Sequence, residues 1–415
     1  MTVAPAAGTN STLRTRAAAM TLACCFAAAM CEGLDVQAAG VAAGGIKIAF
    51  APTPAALGLF LAAGNLGLLF GAVAGGRLAD RLGRKRVLVA SITAFGLCSV
   101  LAGFAWDMPS LIGARILTGL GLGGAMPNLI ALAADVSPER ARNSSIALTY
   151  IGMPMGGAIA SSIILIAAPT QWRWVFLLGG VAPLVIAPLM AWLLPDIRQA
   201  PRERDPAADP EKTGFSAVFA EGRLRRTLIL WLSFLLLNLT LHLMLSWLPL
   251  LLQGRGLSKS EAALAQVGFN AGGALAALFA GALLDTRWRR ASIVVSVLAL
   301  PIALFLLASA SPLILAMFVL AIVLGGAILA SQVILYGTAG GLYTASTRGA
   351  GIGSAIGVGR LGSLAGPSFA AVLLAAGRTP AEVLSSVLPI VIACGLCIAG
   401  LAWRKPGGAE RDAGA

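Results

Sequence analysis

The chain has 415 residues, 58% of them apolar and only 11% charged, with a net charge of +13. A soluble protein carries about a quarter charged residues, so this composition excludes a water-soluble globular chain. The apolar residues also run together: 87–106 and 291–347 contain no charged residue at all.

Apolar runs of about 18 residues or more read as spans of a hydrocarbon core about 30 Å thick. Twelve are predicted, at 17–40, 54–77, 87–105, 110–132, 143–167, 173–194, 226–252, 261–284, 291–309, 312–338, 349–376 and 382–403. The first is too long, and too polar at its end, for a cleaved signal peptide, and other spans follow it. With the N-terminus placed inside, 23 of the 30 Lys and Arg fall on the cytoplasmic side. Five (Lys47, Arg173, Arg255, Lys259 and Arg378) fall on the opposite side, and two (Arg115 and Arg360) fall within spans. This is the positive-inside bias, with both termini cytoplasmic. It assigns the basic charge to topology and argues against a nucleic-acid partner; the partner it implies is the lipid bilayer.

Span 1 carries the stretch CEGLDVQAAG (31–40), with Glu32 and Asp35 three residues apart on one helix face. At about 1.5 Å per residue they lie roughly 22 and 27 Å from Ala17, in the outer half of the expected span. Two carboxylates so close in a poorly solvated place do not readily both ionise, so the pair is suited to take and release a proton. The competing reading is a static partner for a nearby cation. After span 2 comes GRLADRLGRKR (76–86), with Gly76, Asp80 and Arg84. Asp80, at a helix end, can meet the positive N-terminal end of a neighbouring helix and latch the cytoplasmic face; the competing reading is that this basic loop serves topology alone.

Span 4 opens with GARILTGLGLGGAMPN (113–128). Arg115 lies a few residues in, at a depth that can match the carboxylates. The glycines mimic a nucleotide-binding fingerprint, but no strand precedes them, and small residues let membrane helices pack closely. Span 5 holds Tyr150, a candidate lining residue. In span 7, His242, the only histidine, is either a hydrogen-bonded structural residue or a relay, and Asn238 is a further lining candidate. Gln332 in span 10 is another, as are Trp247, Phe269 and Asn270. Arg360 sits deep in span 11, in GVGRLGSLAGP (357–367). A guanidinium there can hold a carboxylate with two hydrogen bonds; the alternative is an internal salt bridge. The six cysteines all fall in spans, and Cys394 and Cys397, although spaced CxxC, have no metal-ligand partner and read as small hydrophobes.

The one long polar stretch, 195–214, divides the spans six and six and reads as a linker. The halves repeat. GALLDTRWRR (281–290) follows span 8 as GRLADRLGRKR follows span 2, aligning Asp80 with Asp285 and Arg84 with Arg289. ASTRGAGIG before span 11 matches SPERARNSS before span 5, aligning Arg142 with Arg348, and both matches share an offset of about 205 residues. Trp288 stands where the second copy of the loop calls for Gly, so a different turn is expected there. A parallel repeat of this kind is a transporter plan with substrate bound near the midplane.

With twelve spans, a midpoint linker and a degenerate second copy, Gly76-x-x-x-Asp80-Arg81-x-Gly83-Arg84-Lys85-Arg86 resembles the loop 2–3 signature of the major facilitator superfamily over the whole chain. In that superfamily spans 1 and 4 line the cavity, so an ion pair between them is implied. The acidic pair Glu32-Gly33-Leu34-Asp35, the span 4 pattern and GVGRLG in span 11 together resemble its aromatic acid:proton symporters, where the usual pair is Asp-Gly-x-Asp. The segments EGLDVQAAGVAAGGI and WDMPSLIGARILTGLGLGGAMPNLIAL are most similar to the 3-(3-hydroxyphenyl)propionate branch. The resemblance implies importance for Glu32, Asp35, Asp80, Arg115, Arg348 and Arg360.

The expected fold is an all-α membrane protein of twelve transmembrane helices in two six-helix bundles, 1–194 and 226–415, joined by a linker at 195–225. The expected function is proton-coupled import of a small aromatic carboxylate by alternating access in a bacterial inner membrane. The expected protein is a monomer with no metal and no cofactor beyond the coupling proton. Glu32 and Asp35 are the expected coupling residues. Arg115, Arg360, His242, Asn238, Tyr150 and Gln332 are the expected substrate contacts, and Gly76, Asp80, Arg84, Asp285 and Arg348 the expected gating residues. Two rivals stand: an uncoupled facilitator, against which the buried acids weigh, and a drug/proton antiporter, against which GMPMGGAIA in span 5 weighs. No HExxH, Ser–His pairing or metal cluster points to an enzyme.

Overall fold

A computed structural model of the protein describes residues 7–138, 142–166, 171–194, 218–219, 223–284, 286–311, 313–343 and 347–402. Among the described residues there are helices and no strands: α1 (Ala7–Phe50), α2 (Pro54–Leu82), α3 (Arg84–Gly103), α4 (Met108–Gly123), α5 (Ala125–Asp135), α6 (Arg142–Ile166) and α7 (Arg173–Leu193), then α8 (Leu224–Gly254), α9 (Lys259–Leu284), α10 (Arg289–Ser309), α11 (Ile314–Leu342), α12 (Arg348–Ala375), α13 (Pro380–Ser386) and α14 (Leu388–Ala402).

Among the described residues, eleven stretches are long and apolar enough to cross a membrane, the last of them α13 and α14 together. The expected span at 110–132 differs, because it is divided at Gly124 into α4 and α5. Gly124 lies against Ser91 and Gly75, its carbonyl accepts a hydrogen bond from Asn128 Nδ2 at 2.7 Å, and Pro127 has no N–H for the helix ladder. The first span also differs: α1 continues to Phe50, ten residues beyond the expected end at 40. It stops at Ala51, which has φ 41° and precedes Pro52, and a residue before proline is pushed out of the helical region. At about 1.5 Å per residue, Asp35 is then about 26 Å from Ala18 and about 23 Å from Phe50, just on the outer side of the middle of the span.

The chain forms two compact units, one of residues 1–38, 66–160 and 173–199, the other of 39–65, 161–172 and 200–415. In the first, Cys24, Cys25, Ala28, Leu88, Ile92, Phe95, Leu122, Leu129 and Met190 make a continuous buried core. Glycines bring backbones into contact: Gly33 and Gly156 join α1 to α6 at Met153 and Met30, while Gly67 and Gly71 join α2 to α4 at Ile116 and Leu120. Trp106 and Trp174 are exposed at one end of this unit and Trp192 at the other, as expected of interfacial aromatic belts.

In the second unit the corresponding pairs pack the same way. Gly362 and Gly366 of α12 meet Leu235 and Leu239 of α8, and Gly272 of α9 meets Ile322 of α11, whose Gly325 meets Phe269. The internal repeat is therefore a repeat of glycine-mediated helix pairs. The last turns of α1 and the first of α2 belong to this unit. Gly40 faces Leu245 and Ser246, Gly58 faces Ala371, and Asn65 Nδ2 donates to Ser363 O at 3.0 Å. Such compactness follows contact, whereas the linker expected at 195–225 follows chain polarity. The guanidinium of Arg255 donates to the carbonyls of Leu307 and Ala310, supplying donors to the unsatisfied C-terminal end of α10.

The two copies of the loop motif turn differently. Gly83 alone separates α2 from α3, at φ 89° and ψ 144°, a region essentially closed to other residues. Lys85 then donates to Leu194 O at 2.6 Å, at the C-terminal end of α7. In the second copy α9 ends at Leu284 and α10 begins at Arg289, with Trp288 at φ −84°, so no left-handed residue is required there. A Cβ at Gly76, by contrast, meets nothing within 4 Å. Gly83→Ala is expected to destabilise the protein by about 1–3 kcal/mol, whereas Gly76→Ala within α2 is neutral or gains about 0.5–1 kcal/mol. Thermal unfolding of the two variants in detergent checks this; equal midpoints for both count against the strained turn.

Candidate functional site

Asp107 fixes where α4 begins. Its carboxylate accepts from Ser110 N at 2.8 Å, and its own N–H donates to Ser110 Oγ at 3.2 Å, a reciprocal cap. The Ser110 side chain and backbone hold its carboxyl below the usual range. From that start Arg115 is seven residues in, about 10 Å along the axis, and it meets α1 at mid-helix.

Arg115 Nη1 lies 2.7 Å from Asp35 Oδ2. Its Nη2 donates to the Asp35 backbone carbonyl at 3.1 Å. The guanidinium also sits 5.7 Å from the centroid of the Phe176 ring, a cation–π arrangement. The other carboxylate oxygen, Oδ1, accepts from Ser99 Oγ of α3 at 2.9 Å. Asp35 is 0% exposed and Arg115 3%, so this is a fully desolvated pair. Such a pair persists only with good geometry and further hydrogen bonds, both of which are present.

Glu32, one turn away on the same helix, is also buried. Gly33 between them touches the Met153 backbone, so α6 closes over the acidic segment. Gly152, Gly156 and Gly157 of the GMPMGG run all face α1, Gly157 against the buried side chain of Gln37. Tyr150 lies on the same helix α6 and is partly exposed.

In the second unit, His242 Nδ1 lies 3.1 Å from the Asn238 carbonyl. Asn238 Nδ2 donates back to Phe234 O at 2.9 Å. Both side chains are thus tied to their own helix, α8. Phe234 packs edge-on against Tyr336, with centroids 5.2 Å apart. Trp247 donates to Pro367 O at 2.9 Å and acts as a strut between α8 and α12. Gln332 is half-buried on α11, and its Oε1 has no hydrogen bond among the described residues. Arg360 is half-buried on α12, and the charge of its guanidinium reaches His242. Among the described residues that guanidinium has neither an ion-pair nor a hydrogen-bond partner, while its backbone carbonyl accepts from Ser363 Oγ at 2.7 Å.

The candidate residues thus fall into two groups, Glu32, Asp35, Arg115 and Tyr150 in one unit and Asn238, His242, Gln332 and Arg360 in the other. Of the gating candidates, Asp285 and the side chains of Asp80, Arg84 and Arg348 lie outside the described residues. Ser99 was not singled out from the sequence. Alone in an apolar run, it carries no periodic signal that separates it from a packing serine.

Two compact helical units with matching helix pairs, and an ion pair buried among apolar spans, define a polytopic membrane transporter. The sequence profile of the Major Facilitator Superfamily matches residues 25–265, and the chain belongs to that superfamily. The chain is 40% identical over 389 residues, 93% of it and 94% of the relative, to the 3-(3-hydroxy-phenyl)propionate transporter of Escherichia coli (strain K12). It is 32% identical to the gallate transporter of Pseudomonas putida, over 86% of this chain and 85% of that one. Among solved structures, a D-xylose-proton symporter shares the fold with a TM-score of 0.75 at 15% identity, over 92% of this chain and 97% of that chain.

Removing one member of a buried ion pair strands the other, at a cost of roughly 3–5 kcal/mol, whereas replacing both is often close to neutral. Arg115→Leu is therefore expected to lower the thermal midpoint in detergent sharply, and the double variant Asp35→Asn, Arg115→Leu to recover most of the loss. Additive losses in the double variant show that the pair carries no such coupling.

Proposed function

We propose that the chain imports a small hydroxylated aromatic carboxylate, of the class of 3-(3-hydroxyphenyl)propionate, together with protons and by alternating access. The observation that carries this reading is the fully buried Asp35–Arg115 pair. The identity with the 3-(3-hydroxy-phenyl)propionate transporter over nearly the whole chain supports the substrate class. The relatives' bacterial sources and the positive-inside bias support an inner-membrane protein with both ends of the chain cytoplasmic.

Charge balance gives the mechanism its logic. In the empty protein Asp35 is anionic and Arg115 and Arg360 are cationic. A proton added to Asp35 breaks the ion pair and leaves Arg115 uncompensated in an apolar place, which is costly. A substrate anion added alone reduces the buried positive charge. On this reading the proton is taken at Asp35, in one unit, and the carboxylate at Arg360, in the other. Arg360 is the residue assigned to the carboxylate, because its planar fork can hold both oxygens and it has no acid partner among the described residues. Glu32 is the second acid, one turn from Asp35, and shares its helix face.

Uptake in proteoliposomes under an imposed pH gradient tests this reading. Asp35→Asn is expected to abolish accumulation against a gradient while leaving exchange of labelled for unlabelled substrate measurable. Accumulation equal to wild type makes the protein a facilitator or moves the coupling elsewhere. For the carboxylate contact, Arg360→Lys is expected to weaken acid binding about ten- to a hundredfold, the worth of a charge-assisted hydrogen bond. Arg360→Ala should weaken it more, and binding of the neutral amide analogue much less in either variant. Equal losses for acid and amide assign Arg360 to structure.

A further inference from the structure

Ser99 takes no part in the mechanism above, yet its surroundings are specific. It is 0% exposed on α3. Its Oγ lies 2.9 Å from Asp35 Oδ1 on α1 and 3.2 Å from the Phe176 carbonyl on α7. A hydroxyl has one proton to donate and two lone pairs to accept with. Here two acceptors compete for that single proton.

We propose that Ser99 is a positioning residue for the coupling proton, its hydroxyl standing between the Asp35 carboxylate and the Phe176 carbonyl so that Asp35 is hydrogen-bonded in both of its protonation states. The inference rests on the reading that Asp35 carries the proton. With Asp35 ionised, Ser99 donates to Oδ1. Oδ2 is held by Arg115 Nη1 at 2.7 Å, so Oδ1 is the oxygen left to receive a proton. When it does, the new Oδ1–H bond donates to Ser99 Oγ and the serine proton turns to the Phe176 carbonyl, which keeps a second lone pair beside its helix bond. One proton enters, one carboxylate becomes one carboxylic acid, and neither the new O–H nor the Ser99 hydroxyl lacks an acceptor. Arg115 stabilises only the ionised form, whereas Ser99 serves both.

The other groups that bear on Asp35 are few. Its own helix contributes Glu32 and Cys31, α3 contributes Cys98 beside Ser99, and α4 contributes Arg115. At their contacts with this segment α7 offers the carbonyl of Phe176, and α6 the backbone of Met153. Neither is titratable.

The test is the pH profile of 3-(3-hydroxyphenyl)propionate uptake in proteoliposomes containing the full chain, for wild type, Ser99→Ala, Ser99→Cys, Ser99→Thr and Asp35→Asn. The bond that Ser99→Ala removes is stronger to the ionised carboxylate than to the neutral acid. The protonated form is then relatively favoured, and the pH of half-maximal uptake is expected to rise by about half to one unit. Ser99→Cys, a weaker donor of similar size, should move it the same way by less, and Ser99→Thr, which keeps the hydroxyl, should return it to the wild-type value. A uniform loss of rate with an unmoved midpoint in both Ser99→Ala and Ser99→Cys overturns the proposal and leaves Ser99 a packing residue. If Asp35→Asn still accumulates substrate, the coupling reading itself fails; if only the serine variants are unmoved, this inference fails alone.

Discussion

A charge taken out of water must be compensated where it lies, and the first compact unit is arranged around that requirement. Asp35 sits near the middle of an apolar helix, where nothing on its own helix can neutralise it. Arg115 reaches it from α4, Ser99 holds its second oxygen from α3, and Phe176 on α7 covers the guanidinium. Four helices are therefore tied to one carboxylate. The pair adds little net stability over an apolar replacement. What it supplies is a charge that can be cancelled by one proton, in surroundings that make the cancellation consequential.

Close packing is what lets these groups reach one another. With lipid outside and apolar side chains inside, helix association draws on packing more than on the hydrophobic effect. The same glycine-mediated solution occurs in both units, α1 with α6 and α8 with α12, α2 with α4 and α9 with α11. Repetition of the contact, more than of the residues, is what survives of the internal duplication. The polar groups of the second unit are arranged differently. Asn238 and His242 are bound to their own helix, and the guanidinium of Arg360, deep in α12, has no acid partner among the described residues.

Much of this was legible in the sequence. A charge in an apolar run has to find a partner, and the resemblance to the superfamily, whose spans 1 and 4 line the cavity, implied that Arg115 would pair with the acids of span 1. A tight turn at the glycine of the loop motif was implied, and a different one at Trp288, but not that Gly83 alone would separate α2 from α3. Helix ends were less legible. Gly44, Gly45 and Lys47 look like the close of a span, but the stop is local backbone geometry at Ala51 and Pro52. The break at Gly124 is hidden because hydropathy averages over it, while Ser91, Gly75 and Asn128, which hold it, are distant in sequence or individually unremarkable. Ser99 and Asn65 were missed for one reason: a single polar residue in a span declares its partner only through tertiary structure.

The three residues Gly33, Leu34 and Asp35 each answer to a different neighbour. Gly33 admits the Met153 backbone of α6, Leu34 lies against Gly179 of α7, and Asp35 is bound to α3 and α4. At this level α1 is engaged on every side, so its angular setting is fixed: each residue of phase slip turns the helix by about 100°. A single insertion in the preceding apolar run, harmless to hydropathy and to helix propensity, would aim a leucine at the arginine and an acid at the glycine seam. Phase, and not apolarity, is what the stretch from Cys24 to Cys31 has to preserve.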